Sequence, residues 1–299
     1  LDGERVDNVF VQGMSRYDAD FKVAAGMPAA NGAMIAGAYS MVRQQFGIPV
    51  GRMEGVEHKI GKAAGMTYAF DAARVFGCSA VNKGIQPPVT SAIMKAYSTE
   101  MGREIGTDAM DVTAGYGVMQ GPNNTMGRLY NSAPVSVTVE GANILTRNMM
   151  IFGQGAIRCH PYVLREMQAA ALDDENESLK QFDRLLFEHV GFSLSNASGS
   201  LLLGLTGGRL ANVPDYPQTR RYYQQLSRLA AAFATLTDCT MLMLGGELKR
   251  RERLSARLGD VMSNLYLASA TLKHFDDQGR PEEDLPFVQW GLEDLLYRI

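Results

Sequence analysis

The chain has 299 residues, of which 46% are apolar and 20% charged, so it can bury one large core or two medium ones. Its net charge of −3 argues against a nucleic-acid-binding protein and against an acidic tail. The three cysteines, Cys78, Cys159 and Cys239, form no CxxC pair. Their spacing argues against a disulfide framework and against a zinc site. It predicts buried thiols in a reducing compartment, so we expect a cytoplasmic protein.

The N-terminus begins with Leu1 and shows no signal-peptide pattern. Residues 1–26 resemble mid-chain sequence, with a short extended piece at 9–11, so we expect them to be the remnant of a longer protein. The chain contains no run of 18 or more apolar residues, which predicts that no helix spans a bilayer.

Helical patterns dominate from residue 27 onward. Helices are predicted over three segments that end at glycine, proline or a turn cluster: 27–46, 54–83 and 90–113. A loop is expected from 114 to 134, because it holds the turn cluster Gly121-Pro122-Asn123-Asn124. A fourth helix is expected over 143–171, with a bend at Gly153 or Pro161.

The acidic segment Asp173-Asp174-Glu175-Asn176-Glu177 separates this half from a second helical region. It is either a linker or the solvated start of a helix. Three or four further helices are predicted beyond it, at 178–205, 217–245, 249–275 and from 285. The expected fold is all-α, with a four-helix bundle over 27–172 followed by a second helical domain over 178–299.

The most informative stretch surrounds Glu140. This carboxylate follows the β-branched run 135–139, which predicts a short strand-like segment, and it precedes an apolar helix. Apolar flanks that remove water raise the pKa of a carboxyl group towards the range of a general base. Gly141 frees the backbone and lets a ligand approach closely. Glu140 is therefore a candidate catalytic base.

Signatures of several other enzyme classes are missing from the sequence. None of the four histidines has a glutamate three residues before it, which weakens a di-iron interpretation, and HExxH, the P-loop motif and GxSxG do not occur. The glycines of Gly115-Tyr116-Gly117-Val118-Met119-Gln120-Gly121 are spaced wrongly for a dinucleotide fingerprint and are typical of a helix end with a tight turn.

Two residues at the end of the first helix can be interpreted in two ways. Arg43 either complements the helix dipole or pairs with a phosphate. Phe46 can stack on a flat ring. The basic run Lys249-Arg250-Arg251-Glu252-Arg253 is likewise either a solvated face with internal charge pairs or a surface that docks on anionic lipid.

Three motifs occur in the same order as in a known enzyme family. They are Arg43-Gln44-Gln45-Phe46-Gly47 at a helix end, Ala114-Gly115-Tyr116-Gly117 with Arg128 after it, and Val139-Glu140-Gly141 followed by Arg147. In order and type they resemble the Arg-x-x-Phe-Gly, Gly-Gly-x-Gly and Tyr-Glu-Gly-Thr-x-x-x-x-Arg motifs of the acyl-CoA dehydrogenase family. The likeness covers about residues 27–170.

A second set of matching segments lies in the tail, over about residues 185–298. The segments are residues 204–210, 221–226 and 248–260. They resemble the additional C-terminal region of bacterial long-chain acyl-CoA dehydrogenases of fatty-acid β-oxidation. In such an enzyme the basic run at 249–253 would allow peripheral contact with the inner membrane.

The resemblance implies an FAD-dependent oxidoreductase that converts a long-chain acyl-CoA to the trans-2-enoyl-CoA. Glu140 would take the α-proton while the β-hydrogen leaves as hydride to the flavin. The backbone N–H of Glu140 would help to bind the thioester oxygen, in the manner of an oxyanion hole. An electron-transfer flavoprotein or a similar acceptor would then reoxidise the flavin.

The resemblance also implies the cofactor-binding residues. Arg43 and Phe46 would contact the FAD of a neighbouring subunit, with the turn at Gly115 close to that cofactor, which implies a homo-oligomer. Three further residues would contact the cofactor by the same resemblance: Asp111, Gly141 and Asn143.

Several features depart from the family pattern. Asp111 stands where many members carry glutamine, and Ala142 and Ile144 replace a threonine and a polar residue. The family's N-terminal helical domain and middle β-domain have no match in the sequence, so we expect this chain alone to bind FAD poorly. Two alternatives stay open. One is an acyl-CoA oxidase, and the other is a non-catalytic helical assembly or membrane-docking module.

Overall fold

The computed structural model describes residues 30–85, 87–139 and 141–299. The remnant expected at 1–26, with its extended piece at 9–11, and the candidate base Glu140 lie outside the described residues. The described chain is helical almost throughout, which confirms the all-α prediction.

The first half of the chain consists of helices and one small hairpin. Helix α1 occupies residues 30–42. Two antiparallel two-residue strands follow, β1 (Gln44–Gln45) and β2 (Ile48–Pro49), and then a 3₁₀ turn at Val50–Arg52. The next helices are α2 (Glu54–Asn82), α3 (Pro88–Thr113), α4 (Gly115–Val118), α5 (Thr125–Thr138) and α6 (Asn143–Leu145).

The second half begins with a π-helix at Thr146–Gln154. Its α-helices are α7 (Gly155–Cys159), α8 (Val163–Ala170), α9 (Glu175–Leu205), α10 (Pro217–Leu244), α11 (Glu252–Asp277) and α12 (Leu285–Tyr297). Short 3₁₀ helices at Gly245–Arg250 and Glu282–Asp284 precede α11 and α12.

Two compact units divide the described chain. The first comprises the residues up to Thr146 together with Tyr266–Arg298. In this unit α2 packs against α3 and α12, and α3 packs against α5. The side chains of Ala72 and Ala73 in α2 are fully buried, and residues this small let neighbouring helices approach closely.

The second unit comprises Arg147–Leu265 with Ile299. Here α9 packs along α10 and against α8. One core cluster joins Phe152, Ala156, Leu248 and Leu258, and the ring of Phe152 meets Phe233 edge to face at a centroid distance of 5.9 Å. Burial of these apolar side chains is the main favourable term that holds the unit together.

One described segment, Pro217–Arg250, is apolar and long enough to cross a bilayer by length and composition alone. The sequence-based expectation rested on uninterrupted apolar runs, and Asp238 interrupts this segment. The Asp238 carboxylate is hydrogen-bonded to His160 and Ser193 within the second unit. The α10 part of this segment packs along α9.

Most predicted helices are confirmed, with boundaries that agree to within about three residues. These are the helices expected at 54–83, 90–113, 178–205, 217–245, 249–275 and from 285. The acidic segment is the start of a helix, because the side chain of Asp174 caps α9 by accepting from the backbone N–H groups of Asn176 and Glu177.

The predicted loop at 114–134 and strand-like run at 135–139 are wrong. The first contains α4 and most of α5, and the second is the last turn of α5 and its C-cap. Asn124 begins α5 by accepting a hydrogen bond from the Gly127 N–H at 3.0 Å. β-Branched residues favour strands mainly through packing on a sheet, and the described chain offers no neighbouring strand to 135–139.

Two other helix predictions need correction. The first helix ends at residue 42 rather than 46, because the chain turns into the β1–β2 hairpin. The helix expected over 143–171 is divided into α6, a π-helix, α7 and α8. Its α-helical path breaks at His160–Tyr162, around Pro161, which confirms the second of the two expected bend positions.

The domain boundaries expected at 27–172 and 178–299 stay a prediction. The two compact units described above are defined by packing and divide the chain in a different way.

The cysteines are free. The expectation that all three thiols are buried is wrong, since Cys159 and Cys239 are exposed.

Candidate functional site

A tight turn connects α5 to α6. Val139 leaves α5 with an extended backbone, and Gly141 adopts φ = 86°, a left-handed conformation that favours glycine. Asn143 then begins α6, and the Thr146 hydroxyl donates to the Gly141 carbonyl at 3.4 Å. The conformational freedom that the sequence predicted for Gly141 is therefore used by the backbone.

The side chain of Lys95 reaches this turn from α3. Lys95 is only 1% exposed, and its ammonium donates to the Gly141 carbonyl and to Asn143 Oδ1, each at 2.6 Å, and to the Val137 carbonyl at 3.4 Å. Burial of a charge is costly unless hydrogen bonds compensate it, and these acceptors do so.

Asn143 completes the attachment of the turn to α3. Its amide Nδ2 donates to Thr99 Oγ1 at 2.8 Å, to Glu100 Oε1 at 3.1 Å and to the Ala96 carbonyl at 3.3 Å. The structure thus brings together Gly141 and Asn143, two of the predicted site residues, on one lysine. With its amide occupied in this way, Asn143 is part of the scaffold of the turn.

The apolar residues that flank the turn are exposed, Ile144 by 74% and Val139 and Leu145 by smaller fractions. The dry surroundings that the sequence pattern predicted for Glu140 stay a prediction, because that residue lies outside the described part of the chain. A second apolar surface would be needed to exclude water from Val139, Ile144 and Leu145.

Arg43 and Phe46 lie at the β1–β2 hairpin. Phe46 and Gly47 form its two-residue turn with φ of 53° and 81°, the signs of a type I′ turn. A phenylalanine rarely adopts this conformation, and its side chain is 95% exposed. Arg43 directly precedes β1 and is also exposed. The hairpin therefore presents a flat ring and a cation outward.

The turn at Gly115 is joined to α1 by two aromatic rings. Tyr116 of α4 stacks on Tyr39 of α1, with centroids 5.7 Å apart and planes within 18°. Asn124 closes the same turn by donating from Nδ2 to the Gly117 carbonyl at 2.7 Å. The stack places the predicted Gly115 turn beside the helix that leads to Arg43.

Asp111 belongs to a charged cluster between α2 and α3. Its carboxylate accepts from Lys59 at 2.9 Å, and the neighbouring Asp108 accepts from Lys59 at 2.5 Å and from Lys62 at 2.8 Å. Burial acts to raise the pKa of Asp108, but the two ammonium groups outweigh it and hold the pKa below its usual range. Asp111 is thus engaged in an ion pair, whereas the resemblance implied a cofactor contact.

Arg147, the last residue of the third motif, belongs to the second unit. Its guanidinium forms two hydrogen bonds with the carboxylate of Asp260 in α11, one from Nε at 2.7 Å. Such a bidentate pair fixes orientation as well as charge. In this structure Arg147 therefore has a structural partner. Arg128 of the second motif is exposed on α5.

Lys95 was missed by the sequence analysis. A signal for it exists, because Lys95 is a single charged residue in the segment 91–96, whose other members are all buried. A lone charge at a buried helical position predicts a specific polar partner. The partners are 42 to 48 residues away in sequence, so the pattern does not reveal which groups they are.

A second polar cluster was also missed. In the second unit, side-chain atoms of His160, His189 and Asp238 lie within 4.8 Å of one another. His160 Nε2 is 2.9 Å from Asp238 Oδ1, and His189 Nδ1 is 2.8 Å from Glu166 Oε1. Together with Ser193, which donates to Asp238 at 2.6 Å, they form a hydrogen-bonded network.

The hydrogen bonds of His160 argue against a metal site here. Its Nδ1 accepts from the backbone N–H groups of Tyr162 and Val163 at 3.2 and 3.3 Å. The proton of the neutral ring must then be on Nε2, which donates it to Asp238. A metal at Nε2 would require that proton to leave. The network also borders a largely apolar cavity of about 820 Å³ between α8, α9 and α10.

Two family models match the chain. The model for the acyl-CoA dehydrogenase C-terminal domain matches residues 22–152, and the model for the C-terminal, bacterial type, acyl-CoA dehydrogenase matches residues 157–299. The fold is shared with a crystal structure of acyl-CoA dehydrogenase complexed with FAD from Bacillus anthracis, with a TM-score of 0.71 over 96% of this chain and 14% identity. This chain covers 48% of that one, about half its length.

At 14% identity the structural likeness establishes the fold alone. The two family models lie end to end, leave only a few residues between them and describe parts of the same family. The chain therefore belongs to the acyl-CoA dehydrogenase family.

Proposed function

We propose that this chain carries the helical domains of an FAD-dependent acyl-CoA dehydrogenase and that Glu140 is its general base. The observation that supports this most directly is the anchored turn at Gly141–Asn143, because it immediately follows Glu140 in the sequence. Glu140 would take a proton from the α-carbon of the thioester as the α–β bond becomes double. When bound, FAD would accept the hydride that leaves the β-carbon.

The exposed face of the β1–β2 hairpin fits a flavin cofactor. Phe46 offers a flat ring for stacking, and Arg43 beside it offers a cation for a phosphate. Gly115 is exposed and lacks a side chain, so backbone can approach the cofactor there. We assign FAD contacts to these residues and to Gly141. Asp111 fits least well, since a carboxylate repels phosphate and its side chain is paired with Lys59.

The proposed enzyme is a homo-oligomer. A large apolar ring at a strained turn, 95% exposed, is stabilised when another molecule covers it. The FAD of a neighbouring copy is the partner that we assign to Phe46. Light scattering of the flavin-loaded protein tests this assignment, since a monomer with full flavin content would contradict it.

The substrate and acceptor are proposals that rest on the likeness of the tail to long-chain enzymes. We propose a long-chain acyl-CoA in fatty-acid β-oxidation and an electron-transfer flavoprotein, or a similar protein, as acceptor. The alternative is an acyl-CoA oxidase, which would use the same base. Reaction of the reduced flavin with oxygen separates the two, because an oxidase is reoxidised by oxygen within its catalytic cycle and a dehydrogenase is not.

The decisive experiment is a flavin absorbance spectrum of the full-length protein before and after addition of a long-chain acyl-CoA. Bleaching of the flavin band is expected in the wild type. Glu140→Gln should keep the flavin band but abolish bleaching, because the amide cannot accept the α-proton. Glu175→Gln, in the exposed first turn of α9, is the matched control and should bleach like the wild type. Bleaching of the flavin band in Glu140→Gln would show that another residue is the base.

A cytoplasmic enzyme with peripheral contact to the inner membrane is a second proposal. The α9–α10 hairpin exposes large apolar side chains, among them Phe187, Leu205 and Leu242, and the basic run at 249–253 follows it. The opposing observation is the ion pair between Arg250 and Glu247, which suits a solvated face. Salt-sensitive pelleting with phosphatidylglycerol vesicles, but not with phosphatidylcholine vesicles, is the expected result. If the protein does not pellet with the phosphatidylglycerol vesicles, the result would favour an intramolecular role for this region.

A further inference from the structure

The cavity between α8, α9 and α10 has the properties of a small-molecule site. It measures about 820 Å³ and is lined mostly by apolar side chains, among them Val163 of α8, Leu194 of α9 and Leu242 of α10. Sites for small molecules are typically clefts of about 300–1,000 Å³ with apolar walls and a few fixed polar groups. The cavity therefore has the size and the lining that such a site requires.

The cavity is open to solvent. Leu194 and Leu242 on its walls are 64% and 88% exposed. A ligand can therefore enter without unfolding the helices, and its apolar part would cover side chains that are now in contact with water. Removal of this apolar surface from water supplies affinity, but it does not determine which head group the ligand carries.

Polar groups on the cavity wall are held in position by hydrogen bonds to one another. Glu166, His189, Ser193 and Asp238 all line the cavity. Glu166 Oε1 lies 2.8 Å from His189 Nδ1, and Asp238 accepts from Ser193 at 2.6 Å. A carboxylate has about four acceptor positions, so both carboxylates keep acceptor capacity for a ligand. The polar wall thus offers hydrogen-bond acceptors that are already positioned.

The charge of this polar wall is negative. Glu166 and Asp238 are carboxylates, and the hydrogen bonds of His160 hold that ring neutral. Even a protonated His189 would offset only one of the two negative charges. Lys249 also lines the cavity, but it is exposed, so solvent screens its charge. The wall therefore attracts a positively charged head group and repels a negatively charged one.

We propose that this cavity binds an amphipathic amine, a molecule with an apolar body and one protonated amino group. The apolar body would lie against the apolar walls, and the ammonium would donate to the carboxylates of Glu166 and Asp238. The residues that line the cavity all belong to the second unit, whereas the residues assigned to FAD belong to the first. The proposal therefore does not depend on the identity of the catalytic base.

The test is isothermal titration calorimetry of the full-length protein with three probes that share a decyl chain and differ in the head group. They are decylammonium, decanol and decanoate, each below its micelle concentration. Decylammonium should bind most tightly and decanoate about tenfold or more weaker, with decanol between them. Equal or tighter binding of decanoate in the cavity would overturn the proposal. The same holds if none of the probes binds, which is the result expected if a second copy of the chain fills the cavity.

A blocking variant assigns the binding to the cavity. Ala197 lines the cavity on the exposed face of α9, so Ala197→Trp places an indole ring there and should weaken decylammonium binding by about tenfold or more. Ser198→Trp is the matched control, because Ser198 is exposed on the same helix outside the cavity lining, and it should bind like the wild type. The probes are compared on the binding that Ala197→Trp removes. Unchanged decylammonium affinity in Ala197→Trp would overturn the proposal.

A charge variant tests the role of the carboxylates. Glu166→Gln keeps the size of the side chain and removes one negative charge. It should weaken decylammonium binding about tenfold and change decanol binding by less than about threefold. Equal losses for the two probes, or no loss for decylammonium, would overturn the proposal. Thermal unfolding shows whether each variant is folded, and each variant decides by itself if the other does not fold.

Discussion

Gly65 of α2 is in direct contact with Trp290 of α12, because a methyl group on Gly65 would lie 2.4 Å from Cε3 of the indole ring. Gly291 faces the same position, and a methyl group there would lie 3.0 Å from the Gly65 carbonyl oxygen. Two glycines and the single tryptophan of the chain therefore set the distance between these two helices. A change at Gly65 should act on the packing of the first unit.

We predict that Gly65→Ala destabilises the protein by about 1–3 kcal/mol, since the added methyl group must displace a packed indole ring. Urea unfolding measures the free energy change, and tryptophan fluorescence reports the environment of Trp290. Gly61→Ala is the matched control on the same helix, because open space surrounds its position. That control should stabilise by about 0.5–1 kcal/mol through helix propensity. Equal effects of the two substitutions would contradict the packing argument.

Substitution of Phe46 should affect flavin binding and protein stability in different ways. A left-handed conformation costs a non-glycine residue about 1 kcal/mol or more, and asparagine tolerates it better. We expect Phe46→Asn to leave the melting temperature of the flavin-free protein unchanged or raise it, while flavin retention falls at least tenfold. The measurements are thermal unfolding and flavin content after gel filtration. A lower melting temperature with normal flavin content would instead make Phe46 a packing residue.

The charged cluster at Asp108 predicts a dependence of stability on pH. The pKa of Asp108 is lowered in the folded state. The ionised carboxylate therefore stabilises the fold fully at pH values above its pKa in the unfolded chain, which is near ~4, and this stabilisation is lost as the pH falls through the pKa of the folded protein. The pKa values of Lys59 and Lys62 are raised in the folded state, so the two ammonium groups stabilise the fold below about pH 10, and this stabilisation is lost at higher pH.

Asp108→Asn should therefore reduce stability between about pH 5 and 9, by about 1–2 kcal/mol, and this difference should shrink progressively as the pH falls below about 4. Urea unfolding at a series of pH values measures this difference. Asp215→Asn is the control, because that carboxylate is exposed and its pair with Arg220 is at the surface. A constant difference at every pH would show that the cluster acts through shape and not through charge.

Helices were predicted correctly from the sequence where the signal for the helix lies within the helical segment itself. The long segments that became α2, α3, α9 and α10 carry apolar spacing and clear ends, and the Asp174 cap lies at the acidic segment. The run 135–139 was misassigned because β-branched residues indicate a strand only when a partner strand exists. Local composition contains no information about that partner.

Prediction of the candidate site was less complete, for a related reason. Gly141 could be chosen from a short motif, since its conformation depends on its own backbone. Lys95 and Asp238 depend on hydrogen-bond partners that are 42 to 78 positions away in sequence. Such contacts are set by how helices pack, which a single sequence does not specify. The ion pair that occupies Asp111 was missed for the same reason.

The Asp238 network gives a final prediction, on stability and on metal binding. Asp238 accepts from His160 and Ser193 in a partly buried position, so Asp238→Ala leaves two donors without their acceptor. We expect a loss of about 2–3 kcal/mol in urea unfolding, against less than about 0.5 kcal/mol for the exposed control Asp215→Ala. Because the Nε2 proton of His160 is donated to Asp238, added Zn²⁺ should leave the wild-type melting temperature unchanged. A rise with Zn²⁺ in the wild type that is absent in Asp238→Ala would instead identify these residues as metal ligands.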